Sequence, residues 1–403
     1  MSDKSALDNF LRLLKKKSLK TNEVKQFLRN HTLDLNECDK SGYNALHYAI
    51  KSEKPELVKL MLASENEEEN SLSSLRADPN KETKDKTNQI YTSPLLLSLL
   101  YTNDESTSNL MIKYLCSAGA KINYRDEEGT TLFLHSCEKG RTDIINFLIK
   151  KIIKDETENT TNNEENNEEK DKNKMTVKDL INESSKNGGG LHFAIIGQQD
   201  DVIELLLENN IDLNICNSQG DNALEYALKE KQMNIFKVIL DYIVDNKEMT
   251  NEDKKKILNH QNNEGNTILH ELAFCKSSIV TNMILKLPKE IGVDPNIKNK
   301  EGYDYKQVSE NVIELEKRKI EQENRLKEER RKLKEELRQK KYEEEKKIID
   351  EKKRYEEQLR RQEEFGQKLI QHRGKIFTGV LLIFLGLMFL VIKYASVKRD
   401  RVI

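Results

Sequence analysis

Apolar residues recur along this chain on a helical period, broken by short polar turns. Leu7, Phe10, Leu11 and Leu14 share one face of an amphipathic stretch over 6–17. Val24, Phe27 and Leu28 mark a second over 21–29. Leu191-His192-Phe193-Ala194 recurs 33 residues later as Leu224-Glu225-Tyr226-Ala227. Each copy is followed by another apolar helix pattern, such as Val202 to Leu207, and then by a polar turn. A fixed period of that size predicts stacked supersecondary units instead of one globular core.

The frame can be traced outward from that pair. It consists of a turn glycine, a small or polar residue, Leu-His or its equivalent, an apolar residue and Ala. It stands at 42–49 and again at 265–270, with weaker copies at 92–96 and 129–133. Turns such as Leu33-Asp34-Leu35-Asn36, Gly119 to Asn123, Asn209 to Asn214 and Gly292 to Asn296 close the units. The glycines 42, 129, 220, 265 and 302 suit turn positions of positive φ. These residues resemble the ankyrin repeat, a β-turn followed by two antiparallel helices. The resemblance implies an all-α ankyrin-repeat solenoid of about six to seven repeats over 36–305, with capping helices over 1–35. Three steps between frames are longer than the period. The excess is Glu/Asn/Lys/Thr-rich material near 64–90, 155–175 and 245–255, which predicts disordered insertions.

After Tyr305 the composition changes. From 306 to 373 the chain is dominated by Glu, Lys and Arg, without proline. Acids precede bases at i,i+4, as in Glu314/Arg318, Glu328/Lys332 and Glu343/Lys347, the better orientation on a helix. The pattern predicts a long charged helix, on the order of 100 Å at 1.5 Å per residue. Leu315, Leu326, Leu337, Ile348, Leu359 and Ile370 are spaced every eleven residues, a near-straight or slightly right-handed stripe. The stripe is thin and lacks sustained heptads, so it is compatible with a single helix and with a weak dimeric coiled coil.

Residues 376–392 carry no charge and lie between Lys375 and Lys393. The run over 376–393 is expected to be a short transmembrane helix, within the spanning range of about 17–25 residues, followed by a short basic tail over 394–403. The pattern resembles a tail-anchored protein, with the N-terminal bulk cytosolic and the anchor in the endoplasmic reticulum or the mitochondrial outer membrane. Gly379 and Gly386 share a face and offer a possible pairing surface for a homodimer, as does the charged helix.

Sites of chemistry are sparse. The five cysteines form no CxxC or His/Cys zinc spacing, so no metal is expected. In ankyrin repeats the residue held here by His47, His192 and His270 bonds between adjacent units, a structural part. Gly188-Gly189-Gly190 lacks the Lys-Ser/Thr of a phosphate loop and reads as a degenerate repeat start. No nucleophile and base stand in a recognisable order. The chain is therefore expected to be no enzyme and to take no cofactor. A net charge of −2, with bases alternating with acids, disfavours a nucleic-acid partner.

The resemblance implies protein binding, with the variable hairpin positions contacting cytosolic protein partners. Here these are Lys40, Ser41 and Tyr43; Glu127, Glu128 and Thr130; Ser218, Gln219 and Asp221; Asn263, Glu264 and Asn266; Lys300, Glu301 and Tyr303. Three readings follow: a membrane-anchored scaffold or adaptor; a tether in which the charged helix sets a distance; or a regulator that recruits or inhibits an enzyme at the membrane.

Overall fold

A computed structural model of the chain describes residues 4–16, 18–62, 76–85, 90–162, 175–371 and 384–393. Its helices begin where the sequence supplies caps. Asn44 accepts from the His47 amide, Ser93 from Leu96, Thr131 from Leu134 and Asn222 from Glu225, each satisfying an otherwise orphan N–H.

In chain order the helices are α1 (Lys4–Leu14), α2 (Thr21–Asn30), α3 (Ala45–Lys51), α4 (Pro55–Leu62), α5 (Pro94–Leu100), α6 (Glu105–Ser117), α7 (Leu132–Glu138), α8 (Thr142–Asn162), α9 (Val177–Ile181), α10 (Gly190–Gly197), α11 (Asp200–Glu208), α12 (Ala223–Lys229), α13 (Met233–Asp245), α14 (Asn251–Leu258), α15 (Ile268–Cys275), α16 (Ser278–Leu285) and α17 (Tyr305–Gln371). Two short antiparallel ribbons join them. β1 (Thr83–Asp85) pairs with β2 (Ile90–Thr92), and β3 (Ser184–Ser185) with β4 (Gly188–Gly189).

The chain divides into two units, Met1–Ile313 and Glu314–Ile403. In the first, the short helices α3, α5, α7, α10, α12 and α15 form one row, each packed on the next. The second helices form another, with α4 on α6 and α11 on both α8 and α13. Buried Leu, Ile, Phe and Ala side chains fill the space between rows, with Phe10, Phe133 and Phe236 fully enclosed. α1 packs on α3 and buries Leu7, Phe10, Leu11 and Leu14, the face its spacing predicts.

Two of the three expected insertions differ from the expectation. Near 245–255 the chain forms α14. Thr250 caps it, its acids lie in the first turn and its lysines in the last, and Ile257 and Leu258 anchor it in the core. The tract near 155–175 begins inside α8, which continues to Asn162; extension from a packed helix costs little once the first turns exist. Residues 163–174 lie outside the described residues, as do 63–75 and 86–89 of the first tract. Gly188 and Gly189 form strand β4, and Gly190 opens α10, so the glycine run is a repeat start.

The second unit contains most of α17, a 67-residue helix whose side chains are almost all exposed from 314 to 365. Lys327–Glu323 and Lys332–Glu328 pair at 2.9 and 3.0 Å. Of the expected transmembrane segment, 376–383 lies outside the described residues and 384–393 is helical with exposed apolar side chains. The tail over 394–403 also lies outside. Among the described residues no helix is long and apolar enough to cross a membrane.

The tightest joint of the stack is between α7 and α10. A Cβ at Gly197 would sit 1.8 Å from the Glu138 carbonyl oxygen. In an exposed helix, Gly→Ala stabilises by up to about 1 kcal/mol. Gly197→Ala is expected to do the reverse, costing about 2–3 kcal/mol as overpacking. Faster hydrogen exchange of α7 and α10 amides relative to those of α1 checks this.

Candidate partner-binding face

Five hairpins between helix pairs share one construction. Asp39, Asp126, Asn217, Asn262 and Asn299 each stand three residues before a frame glycine. Each side-chain Oδ1 accepts from two amides further on. Asp126 takes Glu128 and Thr130 at 3.0 and 2.8 Å, and Asn262 takes Glu264 and Asn266, both at 3.0 Å. The backbone closes the same loop, as where the Asn217 amide donates to the Asp221 carbonyl at 3.0 Å. The glycines 42, 129, 220, 265 and 302 have φ between +76° and +84°, as their position in the frame predicts.

Neighbouring hairpins are tied to each other. The Ser218 amide donates to the Lys186 carbonyl at 2.8 Å, Asn263 to Gln219 at 3.0 Å and Lys300 to Glu264 at 2.9 Å. The Asn263 side chain adds a bond to the Ser218 carbonyl at 2.9 Å. From β3–β4 to Asn299 the tips are therefore one hydrogen-bonded ribbon.

This ribbon sorts the fifteen sequence-predicted positions. Lys40, Ser41, Glu127, Glu128, Ser218, Gln219, Asn263, Glu264, Lys300 and Glu301 are exposed, and so is Tyr303. Tyr43, Thr130, Asp221 and Asn266 are buried, at 5% exposure or less, and are corrected from partner contacts to internal ones. The residue after each of these glycines turns back toward the helices: Tyr43 packs on His47, Tyr48 and Lys51 of its own unit, while Asp221 and Asn266 are bonded by Asn262 and Asn299 of the next; after the last hairpin Tyr303 stays open. The Asp or Asn that holds each tip went unread in the sequence, although its spacing of three before the glycine is regular.

Two of the three frame histidines, His192 and His270, link unit to unit. His192 accepts from the Gly189 amide through Nδ1 at 3.3 Å and donates from Nε2 to the Asp221 carbonyl at 2.9 Å. His270 repeats this with Thr267 and Tyr303, at 3.1 and 3.0 Å. An Nδ1 that accepts an amide fixes the neutral Nε2–H tautomer. Burial lowers the pKa of all three, that of His47 to about 4.

In α12 the frame position is Glu225. Its Oε2 accepts from the Asn222 amide at 3.0 Å, as a histidine would, and His260 of the next unit reaches back to it at 2.9 Å. Burial pushes the Glu225 carboxyl up, and the bond to Glu225 pushes the His260 imidazole up. His260 Nε2 also lies 3.5 Å from Cys216 Sγ. That triple has the outline of a thiol, a base and an orienting acid, but its electrostatics oppose a thiolate. Burial, then Glu225, Asp221 and Asp212, raise the Cys216 pKa, and Sγ donates to the Asn214 carbonyl at 3.3 Å. Next to it, Asp221 is fully buried and held by Lys229 at 2.7 Å and Asn262 at 2.8 Å. Burial raises Glu271 to about 7, with Lys229 opposing and Asp221 and Glu225 adding. Among the described residues no group of three or more His, Cys, Asp or Glu could hold a metal ion.

Two ankyrin models match the chain, one described as "Ankyrin repeats (3 copies)" over residues 169–253 and one as "Ankyrin repeats (many copies)" over 20–62. This is an ankyrin-repeat protein. An ankyrin repeat protein of Acanthamoeba polyphaga mimivirus is 24% identical over 274 residues, covering 51% of this chain and 35% of the relative. The chain thus spans about a third of that relative's length. The crystal structure of the ankyrin repeat domain of Bcl-3, a member of the IkappaB protein family, is 17% identical and covers 69% of this chain and 100% of that one, with a TM-score of 0.45. Ankyrin repeats are, as a family, modules of protein–protein interaction.

The buried groups of this ankyrin stack give two expected outcomes. His260→Ala leaves Glu225 buried without its partner and should cost about 3 kcal/mol, the low end for breaking a buried pair. Adding Glu225→His to that variant restores the frame residue and should recover most of the loss in urea denaturation. For pH, Glu271 is protonated more readily folded, about 7, than unfolded, 4.5. Its contribution is full below the unfolded value and is lost as pH rises through about 7. Glu271→Gln should therefore gain stability relative to the parent between about pH 5 and about pH 8. A pH-independent difference would remove this assignment.

Proposed function

We propose that the protein is a membrane-anchored interaction scaffold that presents an ankyrin stack to cytosolic protein partners. The observation that carries the binding half is the ribbon of tips. Its exposed side chains stand on a backbone bonded from unit to unit, so partner contacts would meet little loss of loop entropy. The exposed set is polar and of mixed charge, which favours a polar, rim-like complement with specificity set by charge pattern.

The anchor half rests on the sequence over 376–392, uncharged between Lys375 and Lys393. The apolar side chains described there, Phe384 at 68% and Phe389 at 76% exposure among them, have no protein cover. A helix of this kind is stable where lipid covers it.

A second reading is favoured by the unbroken length of α17. A charged helix of 67 residues spans about 100 Å at 1.5 Å per residue and suits a spacer.

Two measurements separate the halves. Reversing exposed tips together, as Glu127→Arg, Gln219→Arg and Lys300→Glu, is expected to weaken capture of specific cytosolic proteins at least tenfold, about 1.4 kcal/mol. Unchanged capture would move the binding face elsewhere. A chain ending at Arg373 should shift from the membrane pellet to the supernatant, and continued pelleting would overturn the anchor.

A further inference from the structure

The apolar stripe of α17 has no partner in its own unit. Leu315, Leu326, Leu337 and Ile348 are 52–58% exposed, and the helix's other exposed apolar side chains, such as Ile320, Tyr342 and Ile349, lie off their line. Five leucine or isoleucine residues at eleven-residue spacing, ending at Leu359, hold one line along this helix. What flanks the line decides what fits it. At eleven residues per three turns, the residue four after each stripe position lies about 33° to one side, and the residue seven after lies about 33° to the other.

The first flank is basic at Lys319, Arg330, Lys341 and Lys352 and turns acidic at its end, Glu363. The second is Gln322, Leu333, Glu344, Tyr355 and Gly366, with no base. Leu333 and Tyr355 are 58% and 38% exposed. When two such helices pack side by side and parallel, the first flank of each meets the second flank of the other. Lys341 then faces Glu344, Lys352 faces the Tyr355 ring, and the Arg330 stem covers Leu333. These are an ion pair, a cation–π contact and an apolar contact. When they pack antiparallel, like flanks meet, and the basic row confronts itself, which is unfavourable.

We propose that α17 is the seam of a parallel homodimer, with a second copy of this chain as the occupant of the stripe. The seam presents two ankyrin stacks per assembly. It does not depend on which protein the stacks bind.

The test uses the full chain in mild detergent, with the protein mass read by light scattering. The parent is expected at twice 46.9 kDa. Leu326→Glu with Leu337→Glu should give the single-chain mass. Lys341→Glu alone puts Glu against Glu344 of the other copy, and Glu344→Lys alone puts Lys against Lys341. Each should weaken the dimer at least tenfold, and the double exchange Lys341→Glu/Glu344→Lys should restore it. All these residues are exposed, so helix content by circular dichroism should stay constant. A parent of single-chain mass would overturn the proposal and leave the stripe to a different protein. A dimer that survives both stripe substitutions would place the contact elsewhere, as in the apolar run near 376–392. A double exchange that fails to rescue would overturn the parallel arrangement.

Discussion

The first unit of this protein depends on one repeated device, a side chain that caps its own helix and bonds the next repeat with its other end. His192 and His270 do this with the two nitrogens of one ring. A single repeat exposes its apolar face and cannot persist alone. The device makes the direction of stacking specific, because a carbonyl of the next unit must arrive at a fixed point. The apolar core supplies most of the free energy, and these bonds set the register.

Glu225 shows how far the device tolerates change. A carboxylate at that place keeps the cap bond but loses the ring's outward donor. His260, 35 residues on, returns a donor from the other side. The exchange brings acid into a core that already holds Asp221 and Glu271, so Lys229, Asn262 and His260 converge there. Buried carboxylates so close together raise one another's affinity for protons, and Glu271 at this joint responds to pH in the neutral range.

The repeat frame, the glycine turns and the amphipathic ends of the chain were legible in the sequence because each is a local pattern with a fixed period. The depth of each tip was not. Tyr43 and Asp221 follow a turn glycine just as Tyr303 does, yet the first two are buried and the third is exposed. The α14 segment read as a polar tract because Ile257 and Leu258, which anchor it, lie at its very end. Glu225 stands where the first copy has His192, and nothing local to it shows its partner, His260, in the next repeat. Gly197 carried no signal at all; its role is set by the approach of Glu138 from the preceding repeat. What a sequence window cannot hold is the neighbour across a joint.

The joint between α7 and α10 is also the widest in sequence. Asn187 reaches back 59 residues to Glu128, while other unit-to-unit bonds such as His270 to Tyr303 span 33. Closing a loop costs only about 0.6 kcal/mol more for each doubling of its length. The longer connection therefore adds less than that, against a joint whose contacts are the closest in the stack. Length between repeats is nearly neutral for stability here, so connectors of different length can join helices packed in the same way. The uneven spacing along this chain therefore costs the stack little, because the joints and not the connectors carry its packing.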